Sequence, residues 1–288
     1  MTTEGNDFIP ARTWYFSETD MIREAIFMLK GLNGVVFVWD QDTTCFTYQA
    51  QLGIAHMTAE ELEFFVVQLL QFGNSLNRIR LCVSQSESFP SAICQAFSVS
   101  LKKLLDDFSK ELISLEKGIM DSQVNVLPLQ TILSLSNWIK PRMLALEFIY
   151  LKLDRFECFE WSHGWTASHK TPAMLIDMMY DACSSLQEIQ TLQTAKAMII
   201  LFLDTIEPLL FMTDNAVVGT AIDDVYTDYF IQSNVLDIRY DLDHENEDMY
   251  INCGKSCVDK CPAFLRKYAE KLLTAHKICL ITKSVSVI

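Results

Sequence analysis

One periodic run constrains the fold of this chain more than any other feature. The apolar residues Ile93, Phe97, Leu101, Leu104, Phe108, Leu112, Leu115 and Ile119 recur at intervals of 4, 4, 3, 4, 4, 3 and 4. Lys102, Lys103, Asp106, Asp107 and Lys110 fall between them. A period near 3.6 places the first set on one helix face and the second in water. This rhythm is an eleven-residue repeat, which follows a nearly straight helix; a seven-residue repeat would impose a left-handed supercoil. Such a helix needs neighbours of similar length to cover its apolar stripe. Glycine (9) and proline (7) are too scarce in 288 residues to turn a β-sandwich or barrel at every strand end. The pattern predicts a mainly α fold, an elongated helical bundle.

The rest of the chain reads around that helix. Residues 1–16 form a short tail ending in Trp14-Tyr15-Phe16, expected to tuck against the domain edge. Residues 17–284 are expected to form one helical domain. Ser17 or Thr19 can cap a helix carrying Ile22, Ala25, Ile26 and Leu29, and Gly31 stops it. Val35 to Trp39 and Cys45 to Tyr48 flank Asp40-Gln41-Asp42-Thr43, the pattern of a small β hairpin. Thr58 and Glu61 form a capping box before Leu62, Phe65, Val66 and Leu69, with a helix break expected near Gly73.

After the Ser/Gln-rich stretch Ser84 to Ser88, Pro90 is expected to open the long helix. Pro128 fits the first turn of the next one, which Pro141 should kink or divide after Trp138. Residues 154–170 read as a loop anchored by Trp161 and Trp165, and Thr171-Pro172 opens a Met-rich helix through Leu186. The helix from Thr194 to about Phe211 is almost wholly apolar and is expected to be central, with Pro208 kinking its end. Asp237 to Asp248 is an acidic, solvated loop by composition. Pro262 precedes a last helix with Leu265, Tyr268, Leu272, His276 and Leu280 on one face.

Charge and cysteine content narrow the function. The net charge of −14 opposes approach to a phosphate backbone, so no nucleic-acid partner is expected. Nine scattered cysteines, no Asn-x-Ser/Thr site and no apolar leader stretch point to reduced thiols in a cytosolic setting. The apolar stretch Ala197 to Leu203 is interrupted by Asp204, Glu207 and Pro208, well short of the ~20 residues of a membrane span, so no membrane insertion is expected.

Cys253-x-x-x-Cys257-x-x-x-Cys261 is the best metal candidate, because thiolates suit zinc and iron–sulfur clusters. Its spacing is not the Cys-x-x-Cys of a tight turn, and no fourth ligand is close; free thiols are the competing reading. Gly254-Lys255-Ser256 lacks the first glycine of a phosphate loop, Met249 standing there. Asp241-x-Asp243-x-Glu245 lacks the glycine of a calcium loop, Asn246 standing there. The five histidines, His56, His163, His169, His244 and His276, show no paired ligand spacing, and His276 reads as a core histidine. No constellation amounts to an active site, so the expectation is an interaction protein, not an enzyme, with no cofactor.

Three stretches together resemble the gamma-tubulin complex component family. Glu18 to Gly31 is similar to the family's opening helix, which leads into a short hairpin as Val35 to Tyr48 does here. Leu203-Asp204-Thr205-Ile206-Glu207-Pro208-Leu209-Leu210, then Gly219, Asp223 and Asp228-Tyr229-Phe230-Ile231, resembles its "W-x-x-x-G-x-L-x-D … E-F-F-I" stretch. Cys261 to Lys277 resembles its "P-x-F-L-x-x-x-A-x-x-I-L-x-T-G-K" helix. Two departures mark a diverged member: Asn215-Ala216-Val217 replaces the tryptophan region, and Tyr229 replaces a phenylalanine.

The resemblance implies an N-terminal grip domain over residues 17–284, an elongated bundle packing side by side with other gamma-tubulin complex components. It implies a scaffold role in the gamma-tubulin ring at the centrosome or spindle pole, supporting microtubule nucleation. In the family a C-terminal grip domain follows and holds gamma-tubulin. The chain stops at Ile288, so the expectation is a spoke without that part, meeting gamma-tubulin indirectly. Trp14, Tyr15, Phe16, Phe37 and Trp39 are the expected partner-contact residues. The alternatives are a thiol-ligated metalloprotein built on Cys253, Cys257 and Cys261, or a general helical adaptor holding a partner helix in a groove.

Overall fold

Two long helices carry most of the periodic pattern: α2 (Ala59–Glu87) and α3 (Ala92–Met120). Before them come β1 (Trp14–Phe16), α1 (Glu18–Leu29), β2 (Phe37–Asp40), β3 (Cys45–Tyr48) and β4 (Leu52–Ile54). After them come α4 (Ile132–Asp154), β5 (Phe159–Glu160), β6 (Gly164–Trp165), α5 (Thr171–Ser184) and α6 (Leu192–Val218). Four short strands, β7 (Ile231–Gln232), β8 (Asp237–Arg239), β9 (Tyr250–Asn252) and β10 (Lys255–Ser256), precede α7 (Arg266–Ser286). The computed structural model describes residues 14–49, 52–54, 56–120, 131–161, 163–166, 168–185, 192–218, 224–232, 237–239, 250–252, 255–256 and 258–286. The protein is a mainly α-helical bundle with a hairpin near its N-terminal end, as the sequence predicts.

Two compact units divide the chain, Met1–Arg80 with Leu105–Tyr150, and Leu81–Leu104 with Leu151–Ile288. In the first, Ser17 caps α1 by accepting the Asp20 N–H at 3.1 Å. The Arg80 guanidinium closes the other end by donating to the Leu29 carbonyl at 2.5 Å. The predicted hairpin pairs Phe37 with Tyr48 and Trp39 with Phe46. Its entry is clamped by Glu24, whose carboxylate accepts the Val35 and Val36 N–H groups at 2.6 and 2.9 Å. Asn74 of α2 accepts the Phe46 N–H at 2.6 Å. The capping box forms as predicted, with Thr58 N–H to Glu61 at 2.9 Å and Glu61 N–H to Thr58 at 3.2 Å.

In the second unit Trp165 sits among Phe89, Phe97, Phe156 and Phe159, with ring centroids 5.1 to 6.2 Å away. Asp228 caps α3 from far along the chain. Its carboxylate accepts the Ser91 hydroxyl at 2.9 Å and the Ile93 N–H at 3.4 Å, while Ser91 accepts the Cys94 N–H at 3.1 Å. The neighbouring Tyr229 and Phe230 are fully buried.

Several sequence expectations are corrected. Gly73 does not break α2. A side chain there would meet Met28 of α1 at 2.9 Å, so the glycine serves close helix approach. The long helix begins after Ser91, not at Pro90. On it Leu105 is buried, while Leu104 is only half-buried. Pro141 does not divide α4; it has no N–H to give the Asn137 carbonyl, and both residues are exposed, where water can reach that oxygen. Helix α6 likewise continues through Pro208 to Val218. The loop of residues 154–170 contains the β5–β6 hairpin, with Trp165 buried and Trp161 half-buried. Asp237–Arg239 is a strand paired with Tyr250–Asn252, not open loop. Pro128, Leu186, Asp241, Asp243 and Glu245 lie outside the described residues.

Candidate interaction surface

The aromatic residues expected to meet a partner are not equivalent. Trp14, Tyr15 and Phe16 form β1, parallel to β4, with Trp14 opposite Leu52 and Phe16 opposite Ile54. Tyr15 is 70% exposed, and Phe16 is half-buried. Trp39 is half-buried, its ring edge-on to Phe46 at 5.1 Å. Phe37, expected at the surface, is fully buried, because β2 lies on α1 and turns this residue into the core.

A larger apolar surface lies on α6, and the sequence reading missed it. Met198, Leu201, Ile206, Leu209 and Met212 are buried where the helix packs against α5 and α7. The opposite side exposes Ile199, Ile200, Leu203, Leu210 and Phe211, with Leu203 at 54% and Phe211 at 63%. The helix is therefore not central, as its composition suggested. An all-apolar composition signals either burial on every side or a stripe left for a partner, and the sequence does not separate the two. Ser100 and Lys103 reach Asp204 on this helix at 2.7 and 3.4 Å, which fixes its rotation relative to α3.

The chemical candidates are structural. His276 is buried and its Nδ1 lies 2.9 Å from the Ala216 carbonyl, a core histidine tying α7 to α6. His163 and His169 are exposed, and His163 pairs with Glu160 at 3.1 Å. Cys253 and Cys257 lie outside the described residues, whereas Cys261 is fully buried. Burial pushes the Cys261 thiol up to about 11, which works against the thiolate a metal needs. Burial pushes Cys82 and Cys94 up to about 12. Among the described residues no group of three or more His, Cys, Asp or Glu side chains is placed to hold a metal ion. No described helix is long and apolar enough to cross a membrane.

The profile of the family described as gamma tubulin complex component N-terminal matches residues 22–288. The chain belongs to the gamma-tubulin complex component family. A search of the curated proteins returns no match. Membership makes the protein a component of the gamma-tubulin complex, and members of this family are structural subunits of that complex. The stretches that resemble the family lie inside the matched range and are structural. Asp228 to Ile231 caps α3 and fills the core, and the Cys261 to Lys277 stretch docks on α5 through the Ala263 N–H, which donates to Asp177 at 2.8 Å. These positions hold the bundle together.

Proposed function

We propose that this protein is a scaffold subunit of the gamma-tubulin ring complex, most similar to gamma-tubulin complex component 5 through its Ile22-Arg23-Glu24 helix. It works without cofactor or catalysis. Residues 17–284 act as the N-terminal grip domain and residues 1–16 as a tail. Lateral packing against other gamma-tubulin complex components sets the order of spokes, and so the spacing of gamma-tubulins that templates a microtubule. The working location is the cytoplasm, at the microtubule-organizing centre and spindle pole. Gamma-tubulin is reached indirectly or through a C-terminal grip domain of the kind the family carries.

The observation that carries this reading is the family match over residues 22–288. The exposed apolar side of α6 supports it, since Leu203, Leu210 and Phe211 offer the kind of surface that interface centres use. Tyr15, Phe16 and Trp39, with β1 and the hairpin beside them, are proposed as a second contact, joined by Trp14 through its place in β1. The test is co-precipitation of residues 1–288 with purified gamma-tubulin, with and without other gamma-tubulin complex components. Capture of the components, and of gamma-tubulin only in their presence, is the expected result. Salt-resistant, stoichiometric capture of gamma-tubulin alone would refute the assignment.

A further inference from the structure

We infer that α2 and α4 form a groove for a basic, amphipathic helix of another chain. Glu60, Phe64, Val67, Gln71, Asn74 and Arg78 follow one another at four- and three-residue steps, so they share one stripe of α2. That stripe lines two clefts in turn. The first, of about 710 Å³, holds Glu60, Phe64 and Leu133, the last from α4. The second, of about 380 Å³, is lined by Val67, Arg78 and Tyr150, and the Arg78 guanidinium donates to the Tyr150 hydroxyl at 2.8 Å. The stripe rises over about 27 Å, the length of a five-turn helix. Phe64 is 66% and Leu133 55% exposed, so an apolar floor faces water.

Charge selects the occupant. Glu18, Glu60 and Glu61 rim the first cleft, so an apolar side chain entering it brings its flanking residues against carboxylates. A second copy of this chain, at −14, would meet repulsion. Lysine or arginine beside apolar anchors at four- and three-residue steps meets attraction at the first cleft, while the apolar anchors alone fill the second, whose charged lining residue is Arg78. This occupant differs from the laterally packed neighbours proposed above, which meet α6 and the N-terminal strands.

The test uses the full chain and a fluorescent synthetic helix of about twenty residues, with leucines along one face and lysines on the other. A twin carries glutamates in place of the lysines. Fluorescence anisotropy should give micromolar binding of the lysine peptide and at least tenfold weaker binding of the twin. Phe64→Asp and Glu60→Lys should each weaken the lysine peptide at least tenfold, with melting curves confirming a folded chain. Val99→Asp, at an exposed apolar position on α3, should leave affinity unchanged. The proposal is overturned by failure of the lysine peptide to bind, by equal binding of the twin, by retained affinity in either groove variant, or by equal loss in Val99→Asp.

Discussion

The indole N–H of Trp165 donates to the Ser86 hydroxyl at 2.7 Å, and that hydroxyl donates onward to the Cys82 carbonyl at 2.6 Å. Both residues are buried, so the bond has no water to replace it. Ser86→Ala strands a buried donor and should cost about 1–3 kcal/mol. Trp165→Ala also empties the space between four phenylalanines and should cost about 3–5 kcal/mol. Urea denaturation measures both. A neutral Ser86→Ala would mean that the hydroxyl does not hold the indole.

Close approach of α1 and α2 at Gly73 is testable by a double-mutant cycle. Alanine improves helix propensity over glycine by about 1 kcal/mol, but overpacking against a buried Met28 costs about 1–3 kcal/mol. Gly73→Ala should therefore be neutral to destabilising alone. In a Met28→Ala background, itself costing about 2–5 kcal/mol, it should become stabilising. Additive effects would show that the two sites do not touch.

Burial holds the Asp228 carboxyl above its usual range, more strongly than its hydrogen bonds from Ser91 and Ile93 pull it down. The folded chain thus keeps this proton to a higher pH than the unfolded chain does. Its contribution to stability is greatest below the unfolded pKa and falls as pH rises from about 4 through the folded value. Asp228→Asn removes the titration while keeping an acceptor for both donors. Stability of wild type relative to Asp228→Asn should fall between pH 4 and 7 in paired urea titrations. A rise would place the carboxylate in a stabilising environment instead.

The two sides of α6 should respond oppositely to charge. Leu203→Asp and Phe211→Asp alter exposed side chains and should change stability by no more than about 0.5 kcal/mol. Both should abolish co-precipitation with other gamma-tubulin complex components. Leu209→Asp, on the buried side, should unfold the second unit. Retained co-precipitation with Leu203→Asp would remove α6 from the proposed lateral contact.

What was legible in the sequence is what local chemistry decides. Ser17 and the Thr58–Glu61 pair announce helix starts because their oxygens satisfy nearby backbone N–H groups, and the hairpin shows in two β-rich runs around Asp40 to Thr43. Trp165 was legible as an anchor because few other roles suit a tryptophan in a polar stretch. Gly73 misled as a helix break, Pro141 as a division of α4, and Pro208 as the sign of a helix ending near Phe211. Each costs a helix locally, but at Gly73 the approach of Met28 from α1 uses the missing side chain, and α4 and α6 run on through their prolines. The exposed side of α6 was illegible because an apolar residue carries no mark of whether its cover lies in the same chain. The groove was likewise hidden, since its two walls come from helices joined through α3.

The chain visits its two units in alternation, and this sets an order on synthesis. Residues 1–80 and 105–150 can assemble as soon as the latter emerge, but the segment between them must wait. Ser91 meets its partner Asp228 only 137 residues later. At about 5–20 residues per second, that delay is about 7–27 s. Throughout it the start of α3 has only its local cap, Ser91 to the Cys94 N–H, while the Ser91 hydroxyl and the Ile93 N–H wait for Asp228. The start of the longest apolar stripe in the chain is thus completed by one of the last segments to be made, so its final packing can only follow synthesis of most of the chain.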